Sequence, residues 1–182
     1  MNLALERSRG MGSNLRDVEF DALYRECVAD VHAYAFSLLG DRASAEDVTA
    51  AAFERLYRSR KRVDRRRGTP RALLFTIARN AALDELRRRR RRGLQLAAEP
   101  SEVDDTGAAI ERSERRETVR AALATLAPRE REIVLLKFHG QLKNSELARA
   151  LGISESNAGT RLHRALTRLR ERCGEISQTE VA

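Results

Sequence analysis

The sequence has no Trp, three Tyr and five Phe, so aromatics make up only 4% of it. That is too little for one large aromatic core and suits two small helical cores better. Cysteine is equally scarce: Cys27 and Cys173 stand alone and far apart, which excludes a disulfide framework and a CxxC metal site and leaves two thiols expected to be free. His32, His139 and His163 are scattered, no glycine-rich phosphate loop is present, and no nucleophile has a partner at motif spacing. Neither an enzyme, nor a small-molecule substrate, nor a cofactor or metal is therefore expected. Long hydrophobic runs are missing too. Charges interrupt every apolar stretch well before the roughly 18 residues of a membrane span, and Met1 to Gly12 lacks the apolar segment of a signal peptide. A soluble, cytoplasmic protein is expected.

What the 182 residues do have is charge, 34% of them, with a formal net of +8. It is arranged in blocks of alternating sign. Leu15 to Tyr57 carries 4 basic and 9 acidic residues, Arg58 to Arg92 carries 15 and 3, Gly93 to Glu114 carries 1 and 6, and Arg115 to Cys173 carries 13 and 6. Two basic modules separated by an acidic connector suit a polyanion held at two places, since clustered Lys and Arg gain affinity by displacing counterions from phosphates. The acidic blocks must face something else.

Hydrophobic periodicity makes the chain all-α. Phe20, Leu23, Tyr24, Cys27, Val28, Val31, Tyr34, Ala35 and Leu38 recur every three or four residues and mark one helix, ended by Gly40. Asp41 or Ser44 can cap the next, with Asp47 three residues after Ser44 as in a capping box, and Val48, Ala52 and Leu56 continue its apolar face. Arg58 to Gly68 breaks the period and reads as a loop. Thr69-Pro70 starts a third helix, because Thr supplies a cap oxygen and Pro at the first position forfeits no intrahelical bond; Gly93 stops it. Residues 93–114 read as a flexible acidic linker between a first module at 15–92 and a second at 115–173. In the second, Val119, Leu123 and Leu126 mark a helix, Pro128 begins another, and two short helices, Asn144 to Leu151 and Ser154 to about Arg172, meet at Gly152-Ile153. Ala148, Gly152 and Leu162 fit a helix-turn-helix: a small residue lets the helices approach, a glycine takes the left-handed turn, and an apolar residue locks the second helix on the first.

On that second helix Ala158, Leu162 and Ala165 to Leu166 are expected to face inward. Ser156, Asn157, Thr160, Arg161, His163 and Arg164 then point out, all of them types that bond to base edges or phosphates. Taken alone, such a face is ordinarily only solvated; within a helix-turn-helix the better reading is DNA recognition. The run Arg87 to Arg92 extends a helix whose preceding turns show Arg79, Asn80 and Asp84. A nucleic-acid backbone could follow that helix while Asn80 and Asp84 approach bases, or those two could instead bond to each other across one turn.

Together these segments resemble a known family. Phe20-Asp21-Ala22-Leu23-Tyr24, Gly40-Asp41, Ala45-Glu46-Asp47-Val48, Phe53, Leu73-Leu74-Phe75-Thr76-Ile77-Ala78-Arg79-Asn80, Asp84 and the arginine run resemble region 2 of the extracytoplasmic-function sigma factors, the small two-domain members of the bacterial sigma-70 family. Leu126-Ala127-Pro128-Arg129-Glu130-Arg131-Glu132, then Glu146-Leu147-Ala148 through Gly152-Ile153-Ser154-Glu155 to Arg161-Leu162-His163-Arg164-Ala165, are similar to their region 4.

The resemblance implies core RNA polymerase and promoter DNA as partners. The acidic helix would bind the β′ clamp helices through Asp47, Ala50, Phe53 and Glu54. Arg67, Arg71, Arg79, Asn80, Asp84, Arg87 and Arg88 would hold the melted minus-10 element, and the acidic linker would thread the polymerase channel. Region 4 would rest on the β flap and read the minus-35 element through Ser156, Asn157, Thr160, Arg161, His163 and Arg164. An anti-sigma factor, soluble or membrane-tethered, is implied as inhibitor. Three positions depart from the common pattern: Ala50-Ala51 where Gln-Glu is usual, Leu73 in place of Trp, and Ala158-Gly159 in place of Val and a basic residue. The rival reading is a dimeric helix-turn-helix regulator with an N-terminal sensor or dimerisation domain, which would need paired half-sites. A basic RNA-binding protein is disfavoured because Arg58 to Arg92 holds a single aromatic, Phe75.

Overall fold

The computed structural model describes residues 17–62, 68–93 and 107–179. Arg67, residues 94–106 of the expected linker, and the N-terminal residues 1–16 lie outside the described residues. Among the described residues seven α-helices carry the fold: α1 (Asp17–Leu39), α2 (Arg42–Ser59), α3 (Pro70–Arg91), α4 (Gly107–Thr125), α5 (Pro128–Phe138), α6 (Asn144–Leu151) and α7 (Glu155–Thr179). The chain is all-α, as the periodicity predicts, and is built as two helical bundles. In the first, α1, α2 and α3 pack on one another; in the second, α7 packs against α4, α5 and α6. Among the described residues no helix is long and apolar enough to cross a membrane.

Local chemistry sets the helix ends. Gly40 leaves α1 with φ +64°, and Gly152 leaves α6 in the left-handed region with φ +67°, where a side chain would be strained. Of the two candidate caps for α2, Asp41 is the one used: its carboxylate accepts from the Ser44 amide at 3.1 Å. Thr69 caps α3 by accepting from the Ala72 amide at 3.2 Å, with Pro70 in the first turn.

Three boundaries differ from expectation. α2 continues to Ser59 and a 3-10 turn takes up Arg60–Arg62, so the basic segment is helical at its start. α4 begins at Gly107, inside the segment read as linker, and α7 continues to Thr179, past Arg172. Periodicity needs a sustained apolar repeat: at the start of α4 a charged run separates Ile110 from Val119, and past Cys173 only Ile176 continues the apolar face of α7.

The bundles also do not stand apart. Buried residues run as one cluster from Val31, Tyr34, Leu56, Leu74 and Phe75 of the first to Ile133, Leu136, Leu147 and Leu162 of the second, where two separate cores were expected. α3 touches α6 and α1 touches α5. Gly140, in the turn after α5, is placed under Phe75: a Cβ there would lie 3.3 Å from the Phe75 ring and 2.5 Å from the Leu136 carbonyl oxygen.

Candidate nucleic-acid interface

The recognition helix is built as the sequence suggests. Ser154 opens α7, its hydroxyl accepting from the Asn157 amide at 3.2 Å. Ala158, Leu162 and Ala165 are buried against the rest of the second bundle. Ser156, Asn157, Thr160, Arg161, His163 and Arg164 are all exposed. The helical repeat brings Asn157, Thr160, Arg161 and Arg164 onto one side, a width that fits a DNA major groove. Thr160 donates its hydroxyl proton to the Ser156 carbonyl at 3.0 Å, so toward a ligand it is left as an acceptor.

The α3 residues divide three ways. Asn80 and Asp84 are exposed and do not bond to each other: Asn80 Oδ1 accepts from Arg79 at 3.4 Å, and Asp84 pairs with Arg87 at 2.6 Å. Arg87 and Arg88 are solvated, Arg88 lying 3.2 Å from Glu85. Arg71 and Arg79, by contrast, are turned toward the second bundle. Their side chains are 14% and 18% exposed.

Within the arginine run one member behaves unlike the rest, which sequence reading treated as uniform. Arg89 is folded inward at 13% exposure. It donates to the Leu39 carbonyl at 3.0 Å, to Asp41 at 2.5 Å, to Glu85 at 3.2 Å and to the Ser44 hydroxyl. It thereby ties the end of α3 to the α1–α2 corner. Hydrogen bonding from Ser44 holds the Asp41 carboxyl below its ordinary value, with Arg89 adding to the effect against a smaller opposing contribution from burial. No sequence signal singles Arg89 out, because its partners come from a corner 45 to 50 positions away. Arg89→Ala should lower the thermal midpoint measurably, losing charge-assisted bonds worth about 1.5–3 kcal/mol each in gross terms, while Arg90→Ala should leave it within about 0.5 kcal/mol. Equal midpoints for the two variants in calorimetry would contradict the assignment.

On α2, Asp47, Ala50 and Glu54 are exposed, and Glu54 pairs with Arg58 at 2.6 Å. Phe53 corrects the expectation of an outward contact: it is only 4% exposed. Its ring meets Tyr24 at 4.8 Å and Phe20 at 6.3 Å between centroids, because on α2 it falls next to Ala52 and Leu56 on the stripe facing α1. Beside it runs a cleft of about 420 Å³ lined by Tyr24, Val28, His32, Glu46, Ala50 and Phe53, among others. Among the described residues no group of three or more His, Cys, Asp or Glu could hold a metal; Cys27 is a buried free thiol and Cys173 a partly exposed one.

Residues 23–92 match the sigma-70 region 2 family, and residues 116–169 match sigma-70 region 4. The chain belongs to the extracytoplasmic-function sigma factors. It is 32% identical over 164 residues to the ECF RNA polymerase sigma factor SigL of Mycobacterium tuberculosis, covering 87% of this chain and 90% of that one. To the RNA polymerase sigma factor CarQ of Myxococcus xanthus it is 32% identical over 170 residues, covering 90% and 93%. In fold it resembles the sigma factor RpoE of Bartonella quintana, solved in complex with the anti-sigma factor NepR, with a TM-score of 0.67 at 22% identity over 85% of this chain and 96% of that one. As a sigma factor of this type it directs RNA polymerase to promoters and is not itself an enzyme. α1 to α3 are its region 2, and α4 to α7 carry its region 4 with the helix-turn-helix.

Proposed function

We propose that the two regions divide promoter recognition between α3 and α7, with modules at residues 15–92 and 115–173 and α4 starting inside the segment between them. The outward face of α7 supports this most strongly. Its six polar residues stay exposed while the intervening apolar ones are buried, on a helix following a left-handed glycine turn. That face reads the minus-35 element in duplex DNA. Arg71, Arg79, Asn80, Asp84, Arg87 and Arg88, with Arg67 from the preceding segment, hold the melted minus-10 element. Asp47, Ala50 and Glu54 meet the β′ clamp helices of core polymerase over the packed Phe53 ring, and region 4 rests on the β flap. An anti-sigma factor is proposed as the inhibitory partner, supported by the fold shared with a sigma factor solved in such a complex. The site of action is the cytoplasm, where polymerase and promoter are, with membrane tethering only through the inhibitor.

The test is run-off transcription with core polymerase on a genomic library. Transcripts that start only when the chain is added, downstream of two spaced motifs, are the expected result. A single palindromic binding site with no stimulation of core polymerase would replace this reading with that of a dimeric regulator.

A further inference from the structure

A polar residue of α6 meets the recognition face from outside α7. Asn144 opens α6, with Lys143 before it as the cap residue. Asn144 and Ala148 lie four positions apart and so share one face of the helix. Ala148 is buried, as is Ala158 on α7, and small residues at both places let the two helices approach closely. The left-handed turn at Gly152, φ +67°, joins them, and the Ile153 amide donates back to the Ala148 carbonyl at 3.0 Å. The start of α6 is thereby brought alongside the first turns of α7. Next to Ala158, Gly159 is where they meet: a Cβ on Gly159 would lie 3.6 Å from Asn144 Nδ2. Asn144 itself is exposed.

We propose that Asn144 is a specificity-determining residue for the minus-35 element: its carboxamide enters the major groove beside α7 and reads an adenine, accepting from N6 and donating to N7. This rests on the reading that the outward face of α7 meets that element.

Gly159 lies one helical turn after Ser156 and one before His163, both exposed, so Asn144 stands at the edge of the polar face. With only a hydrogen at 159, α7 leaves a notch there that a long basic side chain, usual at this position, would fill. Asparagine carries a donor and an acceptor on one planar end, and the major-groove edge of adenine presents their complements. Lysine or arginine suits guanine instead. Exchanging a basic residue on α7 for an asparagine that reaches in from α6 therefore changes which base is preferred. The residue is also held in place: Glu146 Oε2 accepts from the Lys143 amide at 3.0 Å and fixes the first turn of α6.

The test uses holoenzyme reconstituted from core polymerase and the full chain, binding a promoter library randomised across the minus-35 element. Wild type should enrich adenine at one position, and Asn144→Ala should reduce that preference about five- to hundredfold while the other positions hold. Asn144→Asp, nearly isosteric, keeps an acceptor and loses the donor, so preference at that position should move from adenine to cytosine, whose N4 donates. Both variants should keep the wild-type thermal midpoint, since the residue is exposed in a first turn. In a Gly159→Arg background the long side chain takes the notch, and Asn144→Ala should then change the profile little; an undiminished effect there would overturn this route into the groove. Loss spread evenly over all minus-35 variants would make Asn144 a phosphate contact and overturn base reading. An unchanged profile for Asn144→Ala beside a relaxed one for Arg164→Ala would overturn this inference and leave the α7 reading standing. Unchanged profiles for both variants would overturn the two together.

Discussion

Phe53→Ala is expected to cost about 3–5 kcal/mol of stability, the usual cost of truncating a buried aromatic ring to a methyl group. The ring is 4% exposed and in contact with Tyr24 and Phe20, so its removal leaves a cavity between α1 and α2. Any loss of polymerase binding in this variant should track the fraction unfolded. Asp47→Arg makes the contrast. Asp47 is exposed on the same helix, so reversing its charge should move stability by less than about 0.5 kcal/mol while weakening binding to the polymerase clamp. Chemical denaturation alongside a pull-down of core polymerase distinguishes them. Full stability in Phe53→Ala would mean that the ring is not part of the core, and undiminished polymerase binding by Asp47→Arg would take the exposed face of α2 out of that interface.

Arg164→Ala should relax base preference at one minus-35 position. Arg164 stands exposed on the outer face of α7, and its guanidinium can bond to O6 and N7 of one guanine. Such a pair is worth about 1–3 kcal/mol of discrimination, where every 1.4 kcal/mol or so is tenfold. Arg161 is exposed about one turn earlier; if it holds phosphate as proposed, Arg161→Ala should lower affinity on all promoters alike. Competition binding against single-base variants of the minus-35 element reads both effects. A preference profile unchanged by Arg164→Ala would assign base reading to Asn157, Thr160 or His163 instead.

The helices and the two-sided character of α7 were legible in the sequence because local rules decide them. A 3.6-residue apolar period, Thr69-Pro70, Gly40 and Gly152 act within one or two turns of themselves. The division of α7 into buried Ala158, Leu162 and Ala165 and an exposed polar face follows from the same period. Charge blocks pointed to nucleic acid because summed charge is a property of composition. Tertiary structure alone decided what depends on pairs distant along the chain. That Arg89 is a structural tie while Arg87 and Arg88 are solvated depends on the Leu39 to Ser44 corner meeting the end of α3. That Phe53 is core depends on where α1 lies against α2. That Arg71 and Arg79 face α5 and the turn after it depends on contacts between residues as far apart in the chain as Arg79 and Glu132 or Arg71 and Gly140. An arginine reads the same in sequence whether its partner is a phosphate, a carboxylate or a helix-end carbonyl, since all three offer oxygen acceptors to the same planar donor; only the folded chain shows which one is within reach.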